Sequence, residues 1–261
     1  MSHMHLRNVL TEKNFRWRGS EMTRVEAFSD AVFAFAITLL VVSLEVPKTW
    51  NQLSIVMRGF GAFAICFTFL VMVWHEHCIF FRRYGLQDTY SIFLNSALLF
   101  LSLFYVYPLK FLFTLLVGAV TRGATLDPAM ASKTIIEPSQ VGAMMITYGL
   151  GFAAVYLIFT LLYAHAYRLR GALGLNQVEV FLTKRKMINN SAMMSFGLVS
   201  SLLAAMLGRR AGLAGFLYML IGVYFTIAET IMGKREKAIV TAMEKERLAA
   251  QETLRIASAS K

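Results

Sequence analysis

Six apolar runs, each long enough to cross a bilayer, constrain this chain more than any other feature. They lie at about residues 22–46, 53–81, 89–117, 141–167, 188–207 and 213–232, and each supplies the roughly 20 mostly apolar residues that a helix needs to cross a hydrocarbon core of about 30 Å. Inside lipid every backbone N–H and C=O must be satisfied within the protein, which leaves helices or a closed barrel. The short alternating segments of a barrel are absent from the sequence. The expected fold is an all-α membrane protein with six transmembrane helices per subunit. Composition agrees: 57% of residues are hydrophobic and 16% charged, too apolar for an ordinary soluble domain.

The net charge of +11 would suggest nucleic acid in a soluble protein. Here the basic residues sit between the apolar runs, and no nucleic-acid recognition module occurs. They cluster before the first run (Arg7, Lys13, Arg16, Arg18, Arg24), after the second (Arg82, Arg83), after the fourth (Arg168, Arg170, Lys184, Arg185, Lys186) and after the sixth (Lys234, Arg235, Lys237). With six spans all four clusters fall on one side, so both termini are expected in the cytoplasm, in the plasma membrane. The expected organisation is an N-terminal arm (1–20), a membrane domain (21–235) and a helical tail (236–261), with residues 173–187 as an interfacial amphipathic linker. The first run lacks a small-residue cleavage site and follows a charged arm, unlike a cleavable signal. Cys66 and Cys78 lie about 18 Å apart along one expected helix and cannot bridge each other.

The first run opens with three ionisable residues, Arg24, Glu26 and Asp30, within RVEAFSD. Charge inside a membrane helix must be paired or wetted, so these residues need a reason. On a helical projection Phe28, Phe35, Leu39 and Val42 share one stripe. Ala27, Ala31, Ala34 and Thr38 form a neighbouring stripe of small residues that continues to Val41 and Glu45. Two readings are open. Small residues let membrane helices pack closely. Alternatively, copies of this helix meeting on an axis would stack Phe35, Leu39 and Val42 as apolar rings that gate by dewetting, with Thr38 as a hydroxyl layer and Glu45 as an acidic ring at the outer mouth.

Asp30 lies about 140° from Phe35 around the helix and is expected to be buried against neighbouring helices. Candidate partners are Arg24, His75, His77, Asn95 and Ser96. Such a carboxylate serves either as a lock on the helix or as a proton relay. His75, Glu76 and His77 do not have the spacing that puts two metal ligands on one helical face, so no metal or other cofactor is expected. No nucleophile, base and orienter form a recognisable catalytic motif, so an enzyme is not expected. Glu229 is expected near the cytoplasmic interface, satisfied by Lys or Arg.

The run Arg24-x-x-x-Phe28-Ser29-Asp30, the following AITLLV, Trp74-x-x-His77 and Asn95 resemble the signature of the transmembrane-protein-175 family of potassium channels. The resemblance covers about residues 20–235. It implies a prokaryotic member with one six-helix unit, assembled as a homotetramer whose pore is lined by the first helix. It implies permeant K+ and other monovalent cations and no TVGYG filter, and no such loop occurs in the sequence. The resemblance places the apolar constriction on Phe35, Leu39 and Val42 and the threonine layer on Thr38. It places a buried polar network on Arg24, Phe28, Ser29, Asp30, His77 and Asn95. The innermost constriction position in the family is aliphatic, and this chain departs from it with Phe35. The alternative reading is a proton-coupled transporter using Asp30 and His77. A membrane enzyme working at the level of His75 to His77 is the third.

Overall fold

The computed structural model describes residues 15–19, 21–42, 48–121, 136–137 and 139–259, and the described part is helical. The helices are α1 (Arg24–Val42), α2 (Trp50–Arg58), α3 (Phe60–Tyr84), α4 (Thr89–Val120), α5 (Val141–Arg168), α6 (Gln177–Leu207) and α7 (Leu220–Ala259), with a 3-10 segment, Gly208–Met219, between the last two. Among the described residues, α3, α4, α5, α6 and the stretch Arg210–Lys245 are long and apolar enough to cross a membrane. The chain is therefore a multi-pass membrane protein.

Local chemistry sets the helix ends. Thr23 and Glu26 form a reciprocal capping box at the start of α1, with Glu26 N donating to Thr23 Oγ1 (3.2 Å) and Thr23 N to Glu26 Oε2 (2.9 Å). Asn176 and Glu179 do the same for α6. Asp88 caps α4 and accepts from the Ser91 amide and hydroxyl. Gly85 ends α3 in the left-handed conformation at φ 61°, returning its N–H to the Phe81 carbonyl.

Four boundaries differ from the sequence expectation. The second run is split at Gly59 into a short helix, α2, and the spanning helix α3. The expected linker 173–187 is largely helix, because the capping box starts α6 at Gln177 and nothing interrupts it before Leu207. The turn expected at 208–212 is a 12-residue 3-10 segment. α7 then continues through Lys234 into the tail without a break at 236.

Helix α1 packs on α3 and α4, and α5 packs on α6. The α5–α6 contact is a close backbone approach. A Cβ placed on Gly197 would lie 2.6 Å from the Gly149 carbonyl oxygen and 2.9 Å from the Ala153 nitrogen, so only glycine fits there. Tyr105 and Tyr148 tie α4 to α5 by donating to the carbonyls of Thr147 (2.8 Å) and Pro108 (2.6 Å). A cluster of Phe33, Phe80, Phe81, Tyr84, Phe159, Leu162 and Tyr163 fills the end carrying the basic residues. A second cluster, Ala36, Leu40, Cys66, Leu70 and Val106, continues away from it.

Residues 15–18 are strapped to that basic end. Phe15 is buried against Tyr84. Arg18 reaches Glu179 (2.7 Å) and the carbonyls of Leu173 and Gly174. Glu179, 1% exposed, also accepts from the Arg16 and Asn176 amides, so one buried carboxylate fastens the strap and caps α6.

Candidate functional site

Helix α1 has two unlike faces. Ser29, Phe33, Ala36 and Leu40 are buried, at the spacing of 4, 3 and 4 that follows one side of a helix. Arg24, Ala27, Phe28, Ala31, Ala34, Phe35, Thr38 and Val41 are exposed on the other side. Phe28 and Phe35 remain 63% and 56% exposed within the subunit, a large apolar surface that a single copy leaves uncovered.

The buried face carries a polar chain. Asn95 on α4 donates through Nδ2 to Ser29 Oγ (2.9 Å), and its Oδ1 is 2.8 Å from His77 Nε2 on α3. Ser29 Oγ in turn donates to the Val25 carbonyl (2.7 Å). Ser29, His77 and Asn95 are each at most 2% exposed. Three helices are thus pinned together by side chains whose exposure to lipid would cost each of them its partner.

Other members of the expected network lie elsewhere. Phe28 and Arg24 are not part of the polar chain. At 100° per residue they share the open face, since Phe28 precedes Ser29 by one position and follows Arg24 by one turn. Asp30 pairs with none of its expected partners; it accepts from the Trp74 indole Nε1 at 2.7 Å. The indole is a donor absent from the expected partners, although Trp74 stands one helical turn from His77. Phe35 and Thr38 lie on the open face, while Leu39 is half-buried against the second core cluster. Thr38, not the Phe35–Leu39 line, is therefore near the centre of the exposed arc. Val42 ends α1 and its side chain lies outside the described residues, as does Glu45.

Thr38 Oγ1 donates to the Ala34 carbonyl at 2.9 Å. With its proton committed to the backbone, the hydroxyl presents oxygen lone pairs outward, suiting it to a cation rather than an anion.

Sequence reasoning also missed a half-buried ion pair. Glu76 on α3 accepts from Lys186 (2.7 and 2.9 Å) on α6 and from Tyr163 Oη (2.7 Å) on α5. The acid inside the second apolar run was the readable signal for it. Arg185 binds Glu236 (2.9 Å) and also Glu229, which fulfils the expectation of a basic partner for Glu229.

The family model described as the endosomal/lysosomal potassium channel TMEM175 matches residues 24–105, the stretch that contains α1 and the polar chain. A potassium channel of Marivirga tractuosa is 39% identical over 233 residues, covering 87% of this chain and 94% of its own. A potassium channel of Streptomyces collinus is 30% identical over 155 residues, 57% of this chain and 66% of its own. Among solved structures, a threonine-to-alanine variant of the potassium channel MtTMEM175, in complex with a nanobody–MBP fusion protein, superposes with a TM-score of 0.75 at 39% identity, over 86% of this chain and 99% of that one. These relatives are channels rather than enzymes, and two of the matches cover 86–87% of this chain. The chain therefore belongs to the TMEM175 family of potassium channels.

Proposed function

We propose that this chain forms a potassium-preferring cation channel in which four subunits, each with six membrane helices, meet along the open face of α1. The carrying observation is that face: a helix locked on one side by Ser29, Asn95 and His77 leaves Phe35 and Thr38 uncovered on the other. Symmetric copies would cover Phe28 and Phe35, and the axis would run beside Thr38. Phe35, Leu39 and Val42 would then supply the apolar constriction, Thr38 a ring of hydroxyl oxygens in place of part of the ion's water shell, and Glu45 an acidic outer mouth. The basic ends of the helices face the cytoplasm of a plasma membrane, with both termini on that side.

The transporter reading receives no support from the geometry. Asp30 is bonded to Trp74 and His77 to Asn95, so the two are not a relay pair. Reconstitution in liposomes tests the proposal. Potassium flux should persist when a protonophore collapses any proton gradient, and Thr38→Ala should move the potassium–sodium reversal potential toward that of an unselective pore. Flux that requires proton movement would contradict the channel, and an unchanged reversal potential would remove Thr38 from selection.

A further inference from the structure

Away from α1, a cavity of about 180 Å³ opens between α3, α5, α6 and α7, walled by Glu76, Lys186, Asn189, Asn190, Met72 and Phe69. It is far larger than the roughly 10–15 Å³ needed for one water. Asn190 is 6% exposed, and its Nδ2 has no hydrogen-bond partner. A buried donor left in this state costs free energy unless an acceptor joins it. Lys186 spends two hydrogen bonds on the Glu76 carboxylate and keeps a third proton. Asn189 Oδ1 accepts from Tyr224 Oη (3.1 Å), which leaves its amide group to donate. Glu76 is itself engaged by Lys186 and Tyr163. The cavity therefore offers more donors than acceptors and fits a ligand rich in acceptor oxygens.

Its depth narrows the choice. Glu76 precedes Arg82 by six residues on α3, about 9 Å of helical rise, which puts the cavity near the headgroup level of the leaflet on the basic side. Phe69 lines this cavity and two further chambers, of about 390 Å³ and 310 Å³, that are walled almost wholly by apolar side chains such as Leu109, Phe152 and Ile65. Polar donors at headgroup depth, continuing past one phenylalanine into apolar space, match the order of groups along a membrane lipid. A free phosphate would use only the first chamber.

We propose that this cavity binds one glycerophospholipid per subunit, its phosphodiester held by Asn190 and Lys186 and an acyl chain laid past Phe69. The inference rests on the helices crossing a bilayer with their basic ends at one surface, and not on α1 lining a pore.

Native mass spectrometry of the full chain in mild detergent tests it. After delipidation, titration with phosphatidylglycerol should load one lipid per subunit. Asn190→Leu, similar in volume and without the donor, should lower that affinity about tenfold. Thr68→Trp, which fills an apolar chamber from an exposed position, should lower it too, and serves if Asn190→Leu does not fold. Inorganic phosphate should neither load nor compete. Wild-type protein that takes up no lipid, variants that load like wild type, or phosphate that competes with the lipid would each overturn the proposal.

Discussion

The two faces of α1 are built by opposite rules. The inner face buries Ser29, Phe33, Ala36 and Leu40 and fastens them with a hydrogen-bonded chain through Asn95 to His77. The outer face has small residues, two exposed phenylalanines and a threonine whose hydroxyl bonds only to its own helix. Inside a membrane, a satisfied polar chain fixes position, because breaking it strands donors and acceptors where no water replaces them. The open face has nothing to lose in a single subunit and gains only when something covers it. The anchored face and the open face thus lie back to back, about half a turn apart, within 19 residues.

This contrast ranks the effects of substitution. The largest falls on the anchor of the segment that leads into α1. Glu179→Ala removes the buried carboxylate that holds Arg18 and the Arg16 amide and accepts from the Asn176 amide in the α6 capping box, and should destabilise the detergent-solubilised protein by about 3–5 kcal/mol. Thermal melting with fluorescence detection reads it, and a Tm equal to wild type would show that the strap is not an anchor. On the inner face of α1, Asn95→Leu strands His77 and Ser29 and should cost about 1–3 kcal/mol. The same loss from Phe28→Ala would erase the distinction between the faces.

Much of this arrangement was legible in the sequence, and the failures have physical causes. Run length and the basic clusters identify spanning helices because lipid imposes length and polarity directly. Helical periodicity separates Phe28 from Ser29, whereas grouping them as one signature does not. The start of α6 was hidden because Lys184, Arg185 and Lys186 look like a loop. In the fold they lie on a helix, and Arg185 and Lys186 answer Glu229, Glu236 and Glu76. The Asn176–Glu179 capping box was the available sign. The pairs Asp30–Trp74 and Glu76–Lys186 join helices far apart in the chain, and no local pattern encodes which acid meets which donor.

A smaller effect concerns pH at the basic end. Desolvation pushes the Asp88 carboxyl up, but hydrogen bonds from Ser91 and the adjacent His165 outweigh it, so its pKa lies below the usual 3.8. A carboxyl with a lowered folded pKa stabilises the fold above the unfolded value and loses that contribution as pH falls through the folded one. Melting of wild type should therefore weaken below about pH 3.8. Asp88→Asn, which keeps a capping side chain, should flatten that part of the profile. An unchanged slope would mean that Asp88 contributes no pH dependence. The smallest stability effect belongs to the open face: Thr38→Ala should shift stability by less than about 0.5 kcal/mol while altering ion preference. A large drop in Tm would make Thr38 part of the scaffold instead.

The most direct test compares two positions two residues apart on opposite faces. Thr38 is exposed and Ala36 is fully buried. Single cysteines at each, in a background with Cys66→Ala and Cys78→Ala, can be treated with a charged, membrane-impermeant thiol reagent during potassium flux. Thr38→Cys should be modified and its flux altered, while Ala36→Cys should stay unreactive. Modification at 36 with protection at 38 would contradict the assignment of the open face of α1 to the ion path.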